Sequence, residues 1–483
     1  MPKKNQYIEL SPEEEFAELL QGNADSNRAS DIKVLYPYRW VMLASLAMCS
    51  IASGFGQLGF APIASVLTEV YGVSDLVPTM LVLCYFAAFI LLNFPIIYVM
   101  EKFGIGCPLI FAGICTLVGS WVRYMVIPSG SLYWVLAGSF IQGIGQPVLQ
   151  NAPAKLSAAW FGDLERGLAT AITSLAIPLG NVLGFVLPSI FVSEEDKEDI
   201  ITGRKHVEDY ILVMCIVSSV LSVCCCIFPR SKPPSPPSSS AKIVTLPMRV
   251  SCRRAVCNRN FPFLVLSFCG TFAVYMSLGS VVGQFTDKFG YKVSDNSFFG
   301  SSQIVFGIVG ATVAGRVLDR KRKFKRQLTI TTIGTLVGVG VVGTVVYTKK
   351  VWALSIALAF LGFFVLPMLP VSYQFGVELL FPVGEAFTVG LFQLCADIYS
   401  IVAALLMSQL LTNYESAVPA IMVMVVTAVV GILASLCVRE DLKKSRYEAY
   451  RKEMNQVPGK GAHYRSMNKT ESNMSEKGEE YFD

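Results

Sequence analysis

Twelve stretches of about 20 apolar residues, separated by short polar segments, decide what this chain can become. They lie near 40–66, 78–100, 106–127, 131–157, 167–192 and 210–229, then near 261–286, 297–318, 327–347, 351–377, 386–410 and 416–438. A helix in a soluble domain needs one apolar stripe, whereas a helix in lipid is apolar nearly all round and long enough to cross the hydrocarbon core. Lipid also offers no partner to backbone N–H and C=O groups, so a crossing segment of this kind folds as a helix. Only 16% of the residues are charged, against about 25% in a soluble chain. The charges crowd into 1–39, 194–209, 230–258, 316–326 and 439–483, outside the apolar runs. The pattern predicts an all-α membrane protein with twelve transmembrane helices.

The runs fall into two groups of six. Between them lies 230–260, containing RSKPPSPPSSSAK, whose proline and serine density suits a flexible linker rather than a packed core. The SCRRAVCNRN that follows reads as a short basic helix on the membrane surface. The expected organisation is a tail at 1–37, a six-helix half at 38–229, the linker at 230–260, a second six-helix half at 261–438 and a tail at 439–483. The linker, the 316–326 loop and the last segment are rich in Lys and Arg. The opposite side carries SEEDKEDIITGRKHVED, with seven acids against three bases. Basic loops stay in the cytosol, so both termini are expected there, in the plasma membrane or an internal organelle membrane.

On that topology no cleavable signal peptide precedes the first run. The sequons at Asn468 and Asn473 face the cytosol and carry no glycan. Most of the 13 cysteines lie inside apolar runs, where a free thiol is a small apolar side chain. Lipid attachment is the alternative for the Cys224–Cys226 triplet. The partners implied are the lipid bilayer and a small-molecule substrate, with a monomer as the expected state.

The stretch GRVLDRKRKFKR at 315–326 has seven basic residues and one acid and in isolation would suit nucleic acid. Apolar runs on both sides exclude that reading. The loop after the second run, YVMEKFGIG, holds Glu101 and Gly104. The loop after the eighth holds Gly315, Asp319 and Arg320. Glu101 and Asp319 are 218 residues apart, and the first runs of the two groups start 221 apart, which marks a tandem repeat. An acid at a helix end pairs with a loop Arg and with a neighbouring helix N-terminus, so Glu101, Gly104, Gly315, Asp319 and Arg320 are gating candidates. Lys321 to Arg326 read as topology and solvation.

This paired loop pattern resembles the cytoplasmic-loop signature of the major facilitator superfamily, with the first copy weakened by Glu in place of Asp. The stretch QPVLQNAPAKLSAAWFGDLERGLATAITSLAIPLGNVLGF at 146–185 is similar to the feline leukaemia virus subgroup C receptor-related family (solute carrier family 49), nearest its major facilitator superfamily domain-containing 7 branch. GFAPIASV, SWVRY and GFFVLPMLPVSYQFGVELLFP support the same resemblance. It implies a major facilitator fold and alternating-access transport of a small organic solute such as haem, choline, ethanolamine or a related cation. The two halves would rock about a central cavity. Choline-handling members carry a Trp in the middle of span one, where this chain has Gln57. Tyr275 or Phe60 is then the candidate ring for a cation.

Polar side chains deep in a span are costly and mark cavities or partner helices. Asp397, about eleven residues into span eleven, is the sharpest. It either binds a cationic substrate, carries a proton, or bonds a neighbouring helix. Gln57, Gln146 and Gln150 are the amide candidates of the first half, the last two sharing a helix face. Gln303 is the span-eight candidate, and Gln284 reads as a group meeting water or a loop. Asn93 and Asn181, beside Pro95 and Pro178, read as partners of proline-freed backbone. Glu378 and Glu385 are gating candidates facing Arg320. Lys155, Asp163, Glu165 and Arg166 are expected to act similarly in the 4–5 loop. Gly54, Gly56, Gly59, Gly180 and Gly184 read as sites of close helix packing.

The chain has two histidines, His206 and His463, with no HExxH, Walker loop or paired-Cys spacing. No enzyme, ATP-driven pump, metal site, cofactor or nucleic-acid partner is expected. A transport-inactive membrane receptor or assembly subunit is the alternative, and the polar groups at mid-span weigh against it.

Overall fold

The computed structural model describes residues 36–446 apart from 163–164, 231–247, 382, 415 and 444. Both sequons, His463, Asp163, the proline-rich core of the linker and nearly all of both tails lie outside the described residues. Every apolar run becomes a helix. The first half holds α1 (Tyr38–Leu58), α2 (Leu76–Phe103), α3 (Gly106–Tyr124), α4 (Tyr133–Trp160), α5 (Gly167–Phe191, in three helical pieces) and α6 (Ile200–Ile227). The second holds α7 (Phe261–Asp287), α8 (Val293–Lys321), α9 (Phe324–Val345), α10 (Val351–Leu380, in two pieces), α11 (Glu385–Asn413) and α12 (Val418–Cys437).

Eleven are long and apolar enough to cross a membrane by length and composition. The other, α4, is 28 residues long but carries Gln142, Gln146, Gln150, Asn151 and Lys155. Its polarity follows from its place, since its buried residues run from Val135 to Trp160. Of the other helices, α1, α7 and α10 are the most buried and α5, α6 and α12 the least. Inner helices can hold polar groups because they face protein rather than lipid.

Within each half the backbones meet closely. A Cβ on Gly54 of α1 would strike the Ile177 carbonyl of α5, and one on Gly180 would strike the Ile51 carbonyl in return. Small residues let such helices pack without a hydrophobic driving force between them. The halves meet through α2 with α11, α5 with α8, and α4 with α11. One apolar cluster runs across the seam, from Leu58, Phe86 and Phe185 to Phe268, Phe272 and Leu278. The basic segment after the linker is the helix Met248–Cys257, with Ser251 and Ala255 buried and Val256 exposed.

Two expectations about the 8–9 segment change. Gly315 lies inside α8, with open space around its Cα, and Arg320 is in the last helical turn. The loop is therefore only Arg322 and Lys323, and Arg322 ends α8 in the left-handed conformation at φ 47°. In the first half Gly104 does end a helix. Its φ of 81° with ψ of −165° is a conformation open essentially to glycine alone.

Candidate functional site

Among the described residues, two charged side chains are fully buried inside spans, Asp397 and Arg123. They lie in different halves. Asp397 Oδ1 accepts a hydrogen bond from Gln393 Nε2 at 2.7 Å, one helical turn back on α11. Gln393 Oε1 accepts from the Tyr373 hydroxyl of α10 at 2.9 Å. Asp397 Oδ2 has no partner. A buried carboxylate oxygen without a donor is expensive, and a ligand or water that reaches it relieves that expense.

Aromatic rings surround the same chain of bonds. Tyr373 packs on Phe268 at 5.4 Å and on Phe392 at 6.1 Å between centroids. Phe268 stacks with Phe272 at 5.4 Å, and Phe272 meets Tyr275 edge-on at 6.3 Å. Ring faces beside a carboxylate suit an organic cation, through cation–π attraction and charge together. The span-one ring expected of choline-handling relatives is thus absent at Gln57, while α7, α10 and α11 supply several.

Tyr275 faces the first half, where its hydroxyl accepts from Asn181 Nδ2 at 3.1 Å. Asn181 is therefore not occupied by proline-freed backbone, and its Oδ1 has no partner. Asn93 likewise crosses the seam, donating to the Gly390 carbonyl of α11 at 2.9 Å while accepting from Asn151 at 2.8 Å. The proline-based expectation misjudged both because their partners lie on helices distant in sequence. Gln57 and Gln146 are brought together, Gln146 Nε2 donating to Gln57 Oε1 at 3.1 Å. The outer atoms of this amide pair, Gln57 Nε2 and Gln146 Oε1, are buried without partners. Gln150 is half-buried, and Gln303 is buried on α8 with its Nε2 unpartnered.

Phe60 belongs elsewhere. Its ring lies 5.6 Å from the Arg123 guanidinium and packs edge-on against Tyr210 at 5.8 Å. Arg123 donates to the Gly56 carbonyl at 3.1 Å, the Tyr85 hydroxyl at 2.7 Å and Ser139 Oγ at 3.0 Å. Tyr85 in turn bonds Gln142. This network went unread because its members are scattered over α1–α4. The one signal was an Arg inside an apolar run, in SWVRY.

Two clusters close the end of the seam beside the acidic loop. Gln284 donates to Thr79 at 3.3 Å and accepts from Ser408 at 2.9 Å, and its amide also reaches the Asp75 carbonyl. Asn296 donates to the Pro62 carbonyl at 2.9 Å, Ser297 to that of Phe185 at 2.7 Å, and Lys197 pairs with Asp287 at 3.0 Å. Gln284, expected to meet water or a loop, does meet the loop residue Asp75, and it also bridges the halves. Gln284→Leu removes the amide from the Asp75 carbonyl and leaves Thr79 and Ser408 only their bond to each other at 3.4 Å, at about 1–3 kcal/mol for the unmet carbonyl. The melting midpoint of the purified protein should fall by several degrees, and an unchanged midpoint argues against this closure.

The gating candidates at the tail side are not arranged as expected. Glu378 accepts from the backbone and hydroxyl of Ser445 at 2.9 and 2.7 Å instead of facing Arg320. Glu165 pairs with Arg39 at 3.0 Å within its own half, and Lys155 donates to the Met100 carbonyl at 2.6 Å. Glu101 is exposed at the end of α2, and Glu385 stands in the first turn of α11. The side chains of Asp319 and Arg166 lie outside the described residues. An apolar crevice of about 180 Å³ between α1, α5 and α8, lined by Ala47, Ile51, Leu175 and Ile308 among others, has only apolar side chains on its walls and suits lipid.

Comparison with known proteins places this geometry. The family model described as Major Facilitator Superfamily matches residues 46–386. Choline/ethanolamine transporter FLVCR2 of Homo sapiens is 24% identical over 417 residues, covering 84% of this chain and 78% of that protein. Solute carrier family 49 member A3 of Xenopus tropicalis is 27% identical over 400 residues, covering 80% of each. Among solved structures, a bacterial homologue of the human lysosomal transporter Spinster aligns with a TM-score of 0.63 at 15% identity, over 83% of this chain and 96% of that one. The fucose:proton symporter FucP of E. coli aligns with a TM-score of 0.57 at 12% identity, over 83% and 98%. Twelve helices in two halves, the matched family model and these relatives agree: the chain is a multi-pass membrane protein that belongs to the Major Facilitator Superfamily of secondary transporters, with relatives in the feline leukaemia virus subgroup C receptor-related solute carrier family 49.

Proposed function

We propose that this transporter carries a small organic cation of the choline and ethanolamine type by alternating access, with Asp397 as the counter-charge. The unpartnered Oδ2 of this fully buried carboxylate is the observation that carries the reading. Tyr373, Phe268, Phe272 and Phe392 supply ring faces, and Tyr275 with Asn181 ties this aromatic group to the first half. The amide pair Gln57–Gln146, with one free donor and one free acceptor, suits the hydroxyl of such a substrate. Gln150, half-buried on α4, and Gln303, buried on α8 with a free Nε2, are the remaining polar candidates of this reading. The names of the curated relatives, choline/ethanolamine transporters, support the same chemical class.

The basic 316–326 and C-terminal segments, against the acidic 193–209 loop, support a cytosolic position for both termini. The halves rock about the seam as a monomer, and the polar clusters around Gln284 and Asn296 close its outer end. Purified protein in liposomes should take up labelled choline or ethanolamine and should be stabilised by them in a melting assay. If haem, pyridoxine or an amino acid stabilises the protein and neither cation does, the cation reading is wrong.

A further inference from the structure

The chain folds back under the second half after α12, and three contacts fasten it, one of them at the last turn of α12 itself. Glu440 accepts from the backbone of Phe324 at 2.7 Å, and Lys325 donates to the Leu436 carbonyl at 3.1 Å. Ser445 gives both its N–H and its hydroxyl to the carboxylate of Glu378. Arg322 Nη1 lies 3.4 Å from the same hydroxyl oxygen. Leu442 packs against the apolar core just before this point.

Glu378 stands near the end of the second piece of α10, Met368–Leu380, which is separated from the first piece, Val351–Val365, by a break at Leu366 and Pro367. Five residues earlier on the same piece is Tyr373, whose hydroxyl begins the chain of bonds to Gln393 and Asp397. A surface carboxylate and the interior site therefore share one short, independently bounded piece of helix. What holds Glu378 holds Tyr373.

We propose that Ser445 is a phosphorylation site, and that its phosphate breaks the Ser445–Glu378 clamp and so changes the rate of transport. The sequence around it is Lys443-Lys444-Ser445-Arg446, which suits a serine/threonine kinase that selects basic neighbours and uses ATP. The Ser445 Oγ–H bond breaks and an Oγ–P bond forms. The bond from the γ-phosphorus to the leaving oxygen of ADP breaks, and the proton passes to the kinase base. The product replaces a hydroxyl donor with acceptor oxygens carrying a charge of about −1.5 to −2. Those oxygens face the Glu378 carboxylate, so attraction becomes repulsion, while Arg322 stands ready to take the phosphate. The segment leaves Glu378 and the lower piece of α10 loses its fastening.

In the cell this rests on the tails being cytosolic, where kinases and ATP are. The test is arranged so that topology and substrate do not enter the first readout. The detergent-purified full chain is treated with a basophilic kinase and ATP, the modified residue is located by mass spectrometry, and chymotryptic cleavage after Leu442, which packs on the core while the clamp holds, is timed. Phosphate on Ser445 is expected, with cleavage roughly tenfold faster, the factor that corresponds to about 1.4 kcal/mol. Ser445→Glu should be cleaved faster in the same direction. In Glu378→Gln the amide can donate to the phosphate, so phosphorylation should accelerate cleavage much less. In liposomes the phosphorylated chain and Ser445→Glu should take up choline at a rate clearly different from unmodified protein. No phosphate on Ser445, unchanged cleavage, or an equal acceleration in Glu378→Gln would overturn the clamp. Faster cleavage with unchanged choline uptake, in a chain that does transport choline, would overturn its link to transport.

Discussion

Asp397→Asn is expected to lower cation uptake by roughly ten- to a hundredfold while leaving the protein folded. Asn has nearly the shape of Asp and keeps an oxygen to accept from Gln393 Nε2, so the bond at 2.7 Å survives. What is lost is the charge. A hydrogen bond or contact to a charged partner is worth about 1.5–3 kcal/mol, and each 1.4 kcal/mol is about tenfold in an equilibrium constant. The melting midpoint without substrate should stay equal or rise, because an unpaired buried carboxylate is a burden on the fold. Uptake that persists at the wild-type rate in Asp397→Asn would remove Asp397 from the substrate path.

A second large effect is expected at the α1–α5 contact. Gly54→Leu should leave little folded, monodisperse protein, and Gly180→Leu should do the same independently. Each new side chain would begin inside a backbone carbonyl of the facing helix, Ile177 for Gly54 and Ile51 for Gly180. Overpacking typically costs about 1–3 kcal/mol where side chains can yield, and here the obstacle is rigid main chain. Alanine at either position should give an intermediate loss on size-exclusion chromatography and in melting. Leucine variants that purify and melt like wild type would mean that the helices do not approach as described.

Both effects were partly legible before any coordinates. Gly54 and Gly180 sit in apolar runs among other small residues, and Asp397 is an acid near the middle of one, so composition alone singles them out. The polarity of α4 was also visible, and its placement at the interior gives the reason for it. Partners across the seam were not legible. Asn93 and Asn181 each lie close in sequence to a proline, and the local explanation hid their bonds to Gly390 and Tyr275. Arg123 could be noticed but not understood, because its partners Gly56, Tyr85 and Ser139 come from three helices. The basic cluster at 315–326 divides differently from its sequence reading. Gly315 is an ordinary helical residue, whereas Arg322 and Phe324, assigned to solvation, hold the segment after α12, and Lys325 holds the last turn of α12. Periodicity and charge report which side of a membrane a residue occupies, but not which distant residue it meets.

The most direct measurement of the central claim compares choline with 3,3-dimethylbutanol, its uncharged isostere, as competitors of labelled choline uptake in proteoliposomes, for wild type and Asp397→Asn. If a buried carboxylate and aromatic faces select the cation, unlabelled choline competes with wild type at least tenfold better than the neutral alcohol, by about 1.4 kcal/mol or more, and the preference collapses in Asp397→Asn. Equal competition by the two compounds in wild type, or a preference that survives the substitution, would contradict it.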